Sequence, residues 1–161
     1  MDRPSRKKNR LPNYDYSKNG AYFITICTEN RKCILSETVG GTCDRLACTH
    51  LTDIGRIVEN AIIGISEHYD DVRVEKFVIM PNHIHLLLMI DILPGRPLVA
   101  PTVCRIIKQL KGIITKTIGQ SVLQKSFHDH IIRDQSDFDM IWKYIDTNPL
   151  RWEQDCFYTE E

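Results

Sequence analysis

The stretch from Val72 to Ile90 limits the fold more than any other part of this 161-residue chain. Two runs rich in β-branched and aliphatic residues, Val72–Met80 and His83–Ile90, are separated only by Pro81-Asn82. A link this short cannot carry a crossover, so the runs must be antiparallel neighbours in one sheet. Within the second run successive side chains alternate between faces. Ile84, Leu86, Leu88 and Ile90 then form a wholly apolar face that reads as core, while His83 and His85 share the other. Two imidazoles on a rigid strand suit half of a transition-metal site. A hydrogen-bonded histidine pair in a half-buried strand is the structural alternative.

The rest of the chain supplies partners for that sheet. Gly20 to Thr28 is β-rich and predicts a strand. Cys33 to Thr49 predicts a hairpin or two short strands, with Gly40-Gly41 as the turn. Thr52 is placed to cap a helix running to about Tyr69, whose buried stripe is Ile54, Val58, Ala61, Ile62 and Ile65. Residues 91–101 hold three prolines and a glycine and read as loop. A second helix is expected from about Thr102 to Ile118, closed by Gly119, with Ile106, Ile107, Leu110, Ile113 and Ile114 on its apolar side. Phe127 to Arg133 predicts a last strand. Ser136, with Asp139 three residues on, predicts the start of a third helix. That helix directs Phe138, Ile141, Trp142 and Ile145 inward and stops near Asn148, because Pro149 disfavours helical geometry in the residue before it. The order β, hairpin, α, β, β, α, β, α implies α+β architecture, an antiparallel sheet with packed helices. Residues 1–19 read as a basic arm and 20–161 as a single domain.

Composition excludes several classes. Apolar content of 42% with 26% charged residues is that of an ordinary soluble globule. No apolar run approaches the roughly 20 residues a bilayer span needs, so no membrane partner is expected. The basic N-terminus lacks the apolar stretch of a signal peptide, which makes the cytoplasm the expected compartment. The six cysteines show no Cys-x-x-Cys pair, and Cys43, Cys48 and His50 lack a fourth ligand at zinc-finger spacing, so reduced thiols are expected. A net charge of zero weighs against a purely electrostatic nucleic-acid binder. The distribution is uneven, however. Arg3, Arg6, Lys7, Lys8 and Arg10 crowd the arm against Asp2, and Arg105, Lys108, Lys111 and Thr115 line up on the second helix. Such a row is either a solvated face or a phosphate-facing one.

Tyr144 lies on the third helix beside its buried stripe, with Asn148 four residues on and on the same side. A helix laid across the histidine face would bring the phenol close to His83 and His85. The ordered set of segments adds a resemblance. Arg10-Leu-Pro-Asn-Tyr-Asp-Tyr, Ala21-Tyr-Phe-Ile-Thr-Ile-Cys-Thr with Asn30-Arg31, Gly55-Arg-Ile-Val, Val78-Ile-Met-Pro-Asn-His-Ile-His, Gly95-Arg-Pro with Ala100-Pro-Thr, Phe127-His-Asp-His-Ile-Ile-Arg and Tyr144-x-x-x-Asn148 together resemble the single-tyrosine HUH transposases, most closely the REP-associated tyrosine transposases.

That resemblance implies a ferredoxin-like sheet, a homodimer, and cleavage and rejoining of single-stranded DNA next to hairpins. Tyr144 would be the nucleophile that stays linked to the 5′-phosphate. His83 and His85 would hold Mg²⁺ or Mn²⁺, with Asn148 as a third, amide-oxygen ligand. Better-known insertion-sequence relatives carry glutamine where this chain has Asn148. His130 is implied as a neighbour of the active site, and His128 is read as structural or solvent-exposed. The arm and the Arg105, Lys108, Lys111 row would grip DNA, and Tyr14 and Tyr16 would either stack on unpaired bases or pack the arm down. Two further readings are a hairpin-DNA- or RNA-binding protein that keeps the fold without turnover, and a structural or metal-storage role for the histidine pairs.

Overall fold

The sheet is assembled around a strand with two unlike faces. The structure, a computed structural model, describes residues 15–16, 18–39, 48–92 and 102–159. In chain order these form β1 (Gly20–Cys27), a 3-10 turn (Glu29–Arg31), β2 (Ser36–Val39), β3 (Cys48–Leu51), α1 (Asp53–His68), β4 (Val72–Ile79), β5 (His83–Ile90), α2 (Val103–Ile118), β6 (His128–Ile132), α3 (Gln135–Thr147) and a second 3-10 segment (Pro149–Gln154). Four strands make one sheet in the order β4-β5-β1-β6, each pair antiparallel, and β2 and β3 pair separately. The architecture is α+β, as expected.

The β4–β5 connection is the tight one its length demands, with Met80 N–H donating to the His83 carbonyl at 2.9 Å. Register then fixes the faces. On one, Ile84, Leu86, Leu88 and Ile90 of β5 lie with Tyr22, Ile24 and Ile26 of β1, all fully buried. The stripes of α1 and α2 complete this core: Val58, Ala61, Ile62 and Ile65 from the first, Val103, Ile106, Ile107, Leu110 and Ile114 from the second. Fully burying one such aliphatic side chain contributes roughly 1.5–3 kcal/mol, so this layer dominates stability. The stripes match the expected ones except at Ile54, which is half-buried, and Ile113, which is 45% exposed. Ile113 sits one position round the helix from Ile114, beyond the arc the sheet covers.

Capping explains the helix starts. Thr52 accepts from Gly55 N–H at 3.0 Å and also donates to the Ile34 carbonyl, pinning α1 to the chain ahead of β2. Gly55 is required there, because a Cβ would overlap the Leu35 carbonyl oxygen. Gly119 closes α2 at φ 85. For α3 the expectation needs correcting. The cap is Asp134, which accepts from Asp137 N–H at 2.9 Å, and Ser136 already lies inside the helix. Both residues are good caps, but an aspartate at the end of β6 reaches the first free N–H groups earlier.

α3 crosses the opposite face of the sheet, against β4 and β5. Only Ile145 of this helix is buried. Trp142 is partly exposed and lies under the Lys76 ammonium, 4.0 Å from the ring centroid, while Lys76 pairs with Asp146 at 2.6 Å. Of the residues expected inward, Trp142 is thus held at the rim by a cation. α3 stops at Thr147, next to Asn148 as expected, although Asn148 itself keeps helical angles (φ −57, ψ −45) despite Pro149. The proline instead starts the 3-10 segment, where its missing N–H costs nothing.

Ahead of β1, Tyr16 packs against the core cluster beside Tyr22 and its carbonyl accepts from Val103 N–H, which decides between the two readings of that residue. Residues 1–14, with Arg3, Arg6, Lys7, Lys8, Arg10 and Tyr14, lie outside the described residues, as do the Gly40-Gly41 turn and Cys43. Cys27, Cys33, Cys104 and Cys156 are free thiols. Among the described residues no helix is long and apolar enough to cross a membrane.

Candidate functional site

Alternation along β5 puts His83 and His85 on the α3 face, and both are buried, at 0% and 1% exposure. Their Nε2 atoms point at one another 3.0 Å apart. Which nitrogens carry protons follows from the neighbours. Asn82 Nδ2 donates to the Phe157 carbonyl at 2.8 Å, which leaves Asn82 Oδ1 facing His83 Nδ1 at 2.9 Å. An amide oxygen only accepts, so Nδ1 of His83 holds the proton and Nε2 presents its lone pair. His85 Nδ1 meets the Thr25 hydroxyl at 2.9 Å, across the β1–β5 ladder. Burial pushes His83 down to about 4, and burial together with the His83 charge pushes His85 down to about 3, so both imidazoles are neutral at neutral pH.

A carboxylate completes this group. Asp155, delivered by the segment after α3, lies with His83 and His85 so that one ligand atom from each falls within 4.8 Å of the others. Two imidazole nitrogens and a carboxylate are donors a divalent cation accepts. The remaining ring nitrogens are tied to Asn82 and Thr25, the outer support that orients metal-ligating histidines. Burial alone would raise the Asp155 carboxyl. The Phe157 N–H and the Asn148 amide, both donating to it, hold it below the ordinary carboxylate value. Sequence reasoning missed Asp155. It follows Pro149 in a stretch without periodicity, and no fixed spacing links it to the histidines.

Tyr144 reaches the same point from α3. Its hydroxyl is 3.4 Å from His85 Nε2 and 3.3 Å from Asp155 Oδ2. Its ring meets His85 and Phe23 edge-on, while Phe23 stacks on His85 at 5.1 Å. The residue as a whole is 38% exposed, at the edge of the buried group. Burial of the hydroxyl, then the Asp155 charge, raises its pKa well above the ordinary value.

Asn148 also arrives, by way of its nitrogen: Nδ2 donates to Asp155 Oδ2 at 2.8 Å. Its Oδ1 is buried and has no hydrogen-bond partner among the described residues. His130 shares the sheet face but bonds Asp137 of α3, at 2.8 Å to Oδ2, and joins β6 to the helix. His128 is exposed. Arg105 and Lys108 are exposed on α2, which packs against the far face of the sheet. Lys111 is committed locally, its ammonium donating to the carbonyls of Gln124, Lys125 and Ser126.

Over 96% of its length the chain is 31% identical to an uncharacterized protein of Haemophilus influenzae, of which it covers 94%. The chain belongs to that protein's family. No family model matches the chain. Among solved structures, a REP-associated tyrosine transposase bound to a REP hairpin superposes with a TM-score of 0.63 at 20% identity, covering 88% of this chain and 73% of that one. At that identity the likeness is one of fold: the chain shares the transposase's architecture.

Proposed function

We propose that the protein is a transposase-type nuclease and strand-transferase that cleaves and rejoins single-stranded DNA next to hairpins through a 5′-phosphotyrosine. The observation that carries this reading is the Tyr144 hydroxyl standing within 3.4 Å of His85 and 3.3 Å of Asp155, partly exposed, beside two converging imidazoles. The shared fold with a hairpin-bound tyrosine transposase supports it. So does the sheet order, which is the one a ferredoxin-like unit would show.

His83, His85 and Asp155 would hold Mg²⁺ or Mn²⁺, and the unpartnered Oδ1 is the atom through which Asn148 would join them. The nitrogen-rich donor set favours Mn²⁺, since Mg²⁺ prefers oxygen. Such a cation would polarise the scissile phosphate and offset the carboxylate charge that now disfavours ionising the phenol.

The protein's own part in the reaction is positional. Tyr144 oxygen attacks phosphorus, a tyrosine–phosphorus bond forms, and the bond to the 3′ oxygen breaks. The phenolic proton leaves along its hydrogen bond to Asp155 Oδ2 and passes on to solvent, and the departing 3′ oxygen takes a proton from solvent to become a free hydroxyl. Phosphotyrosine conserves the bond energy, so reversal by a 3′-hydroxyl needs no nucleotide cofactor. A homodimer and a cytoplasmic location belong to the same reading. So do DNA contacts by Arg3 to Arg10 and by Arg105 and Lys108, with His130 supporting α3 beside the site.

The test uses hairpin-bearing single strands from the flanks of the gene, incubated with Mn²⁺ or Mg²⁺. Wild type should give a protein–DNA adduct that survives denaturation, and Tyr144→Phe should give none. Equal adduct from Tyr144→Phe removes Tyr144 as nucleophile. Hairpin binding without adduct or nick from wild type selects the second reading, a binding protein without turnover.

A further inference from the structure

Between β1 and β2 the backbone takes a form that side chains resist. Asn30 and Arg31, consecutive and neither glycine, have φ 57 and φ 54. Left-handed residues of this kind cost of order 1 kcal/mol each and persist where the surroundings fix them. The consequence is where they aim Arg31. Its guanidinium lies over the Phe157 ring, 5.1 Å from the centroid, and Nη1 donates to the Cys156 carbonyl at 3.4 Å. Phe157 in turn lies 4.7 Å from the His83 ring, and Cys156 follows Asp155 directly. The cation is thus one aromatic ring away from the candidate metal group. It is exposed, and among the described residues no carboxylate pairs with it.

We propose that Arg31 is a substrate-binding residue that grips a backbone phosphate of single-stranded DNA at the mouth of the His83–His85–Asp155 site. This rests on the nuclease reading above and names a contact that reading lacks. A guanidinium stacked on an aromatic ring loses little freedom on binding and keeps its planar fork of donors for phosphate oxygens. Among the described residues one of its five N–H groups is engaged, weakly, by the Cys156 carbonyl. Lys111 is occupied, and Arg105 and Lys108 lie on a helix against the other sheet face. Arg31 is therefore a described cation placed, through Phe157 and Cys156, to meet a strand whose scissile phosphate is at Tyr144.

The experiment measures binding of a fluorescein-labelled pool of 40-nucleotide single strands of randomised sequence, by anisotropy across a salt series, with Mn²⁺ present. Arg31→Ala should weaken binding about 10-fold at moderate salt and lower the slope of log affinity against log salt by about 0.7, the share of one phosphate contact on a single strand. Arg31→Lys should restore the slope. The thermal shift caused by Mn²⁺ alone should be unchanged in both variants, because neither touches a ligand atom. An unchanged affinity and slope in Arg31→Ala overturns the inference. So does weakened binding with an unchanged slope, or a lost Mn²⁺ shift, since either assigns Arg31 to holding the Cys156–Phe157 segment in place. If wild type binds none of the pool, the nuclease reading itself fails, and this contact with it.

Discussion

The two faces of the central sheet are built from the same strands and do opposite work. On the α1–α2 face, β5 contributes Ile84, Leu86, Leu88 and Ile90, all fully buried among the stripes of two helices. On the α3 face the alternate positions His83 and His85 are buried as well, but among Asn82, Thr25, Asp155 and rings. α3 buries only Ile145, where α1 and α2 each bury five residues. One face is sealed by apolar area, and the other is held by directed hydrogen bonds that orient donors towards a shared point. Stability and chemistry therefore occupy different sides of one strand, one residue out of phase.

Substitutions should separate the two. The largest effect on folding is expected from Leu86→Ala, which should cost about 2–5 kcal/mol in urea unfolding. The metal affinity of the folded remainder should not change; a change would show that the faces are coupled. Next, Mn²⁺ at about 100 times its dissociation constant should stabilise wild type by about 2.7 kcal/mol, read as a rise in Tm of roughly 5–10 °C. His85→Ala should abolish that rise, and a rise that survives would place the ion elsewhere. Asn82→Ala removes the acceptor that fixes the His83 tautomer, and should lower Mn²⁺ affinity about 10–100-fold in a titration. Thr52→Ala, on the helix of the apolar face, should cost about 1 kcal/mol through the lost cap and leave Mn²⁺ binding unaltered.

Acid should strike the polar face. His83 and His85 titrate near 6.5 in an unfolded chain and are pushed to about 4 and about 3 by burial in the folded one. Between those values the unfolded chain binds more protons, so stability without metal should fall as pH drops below 6.5. Replacing both histidines by glutamine should flatten that fall, as measured by Tm across the pH series.

The apolar face was legible in the sequence because periodicity reports burial directly. Thr52 as cap, the stripes of α1 and α2, Gly119, and the β4–β5 pairing all follow from local pattern and turn length. The polar face was legible only in part. Alternation put His83 and His85 together, and spacing put Tyr144 and Asn148 on one side of α3. Asp155 had no such signal, since its place depends on a 3-10 segment that turns the chain back over β5. Asn82 was readable as a turn residue, but its hold on His83 needed the Phe157 carbonyl to orient the amide. The α3 cap went to Asp134 over Ser136 because two cap residues only two positions apart are separated by the geometry of the strand end that feeds them.

The chain order of these parts has a consequence for biosynthesis. The apolar layer can close once β6 has emerged from the ribosome, for every strand of the sheet is then present. The donor group waits longer, because Asp155 is supplied by residues beyond α3 and Asn82 is oriented by Phe157. A nascent chain thus passes through a stage with a formed sheet and two unsupported imidazoles. Tyr144 emerges after β6, and its hydroxyl gains a carboxylate partner only when Asp155 has followed. Tyr144 and its partners come together only once residues 155–157 have followed, after the scaffold they stand on is already set.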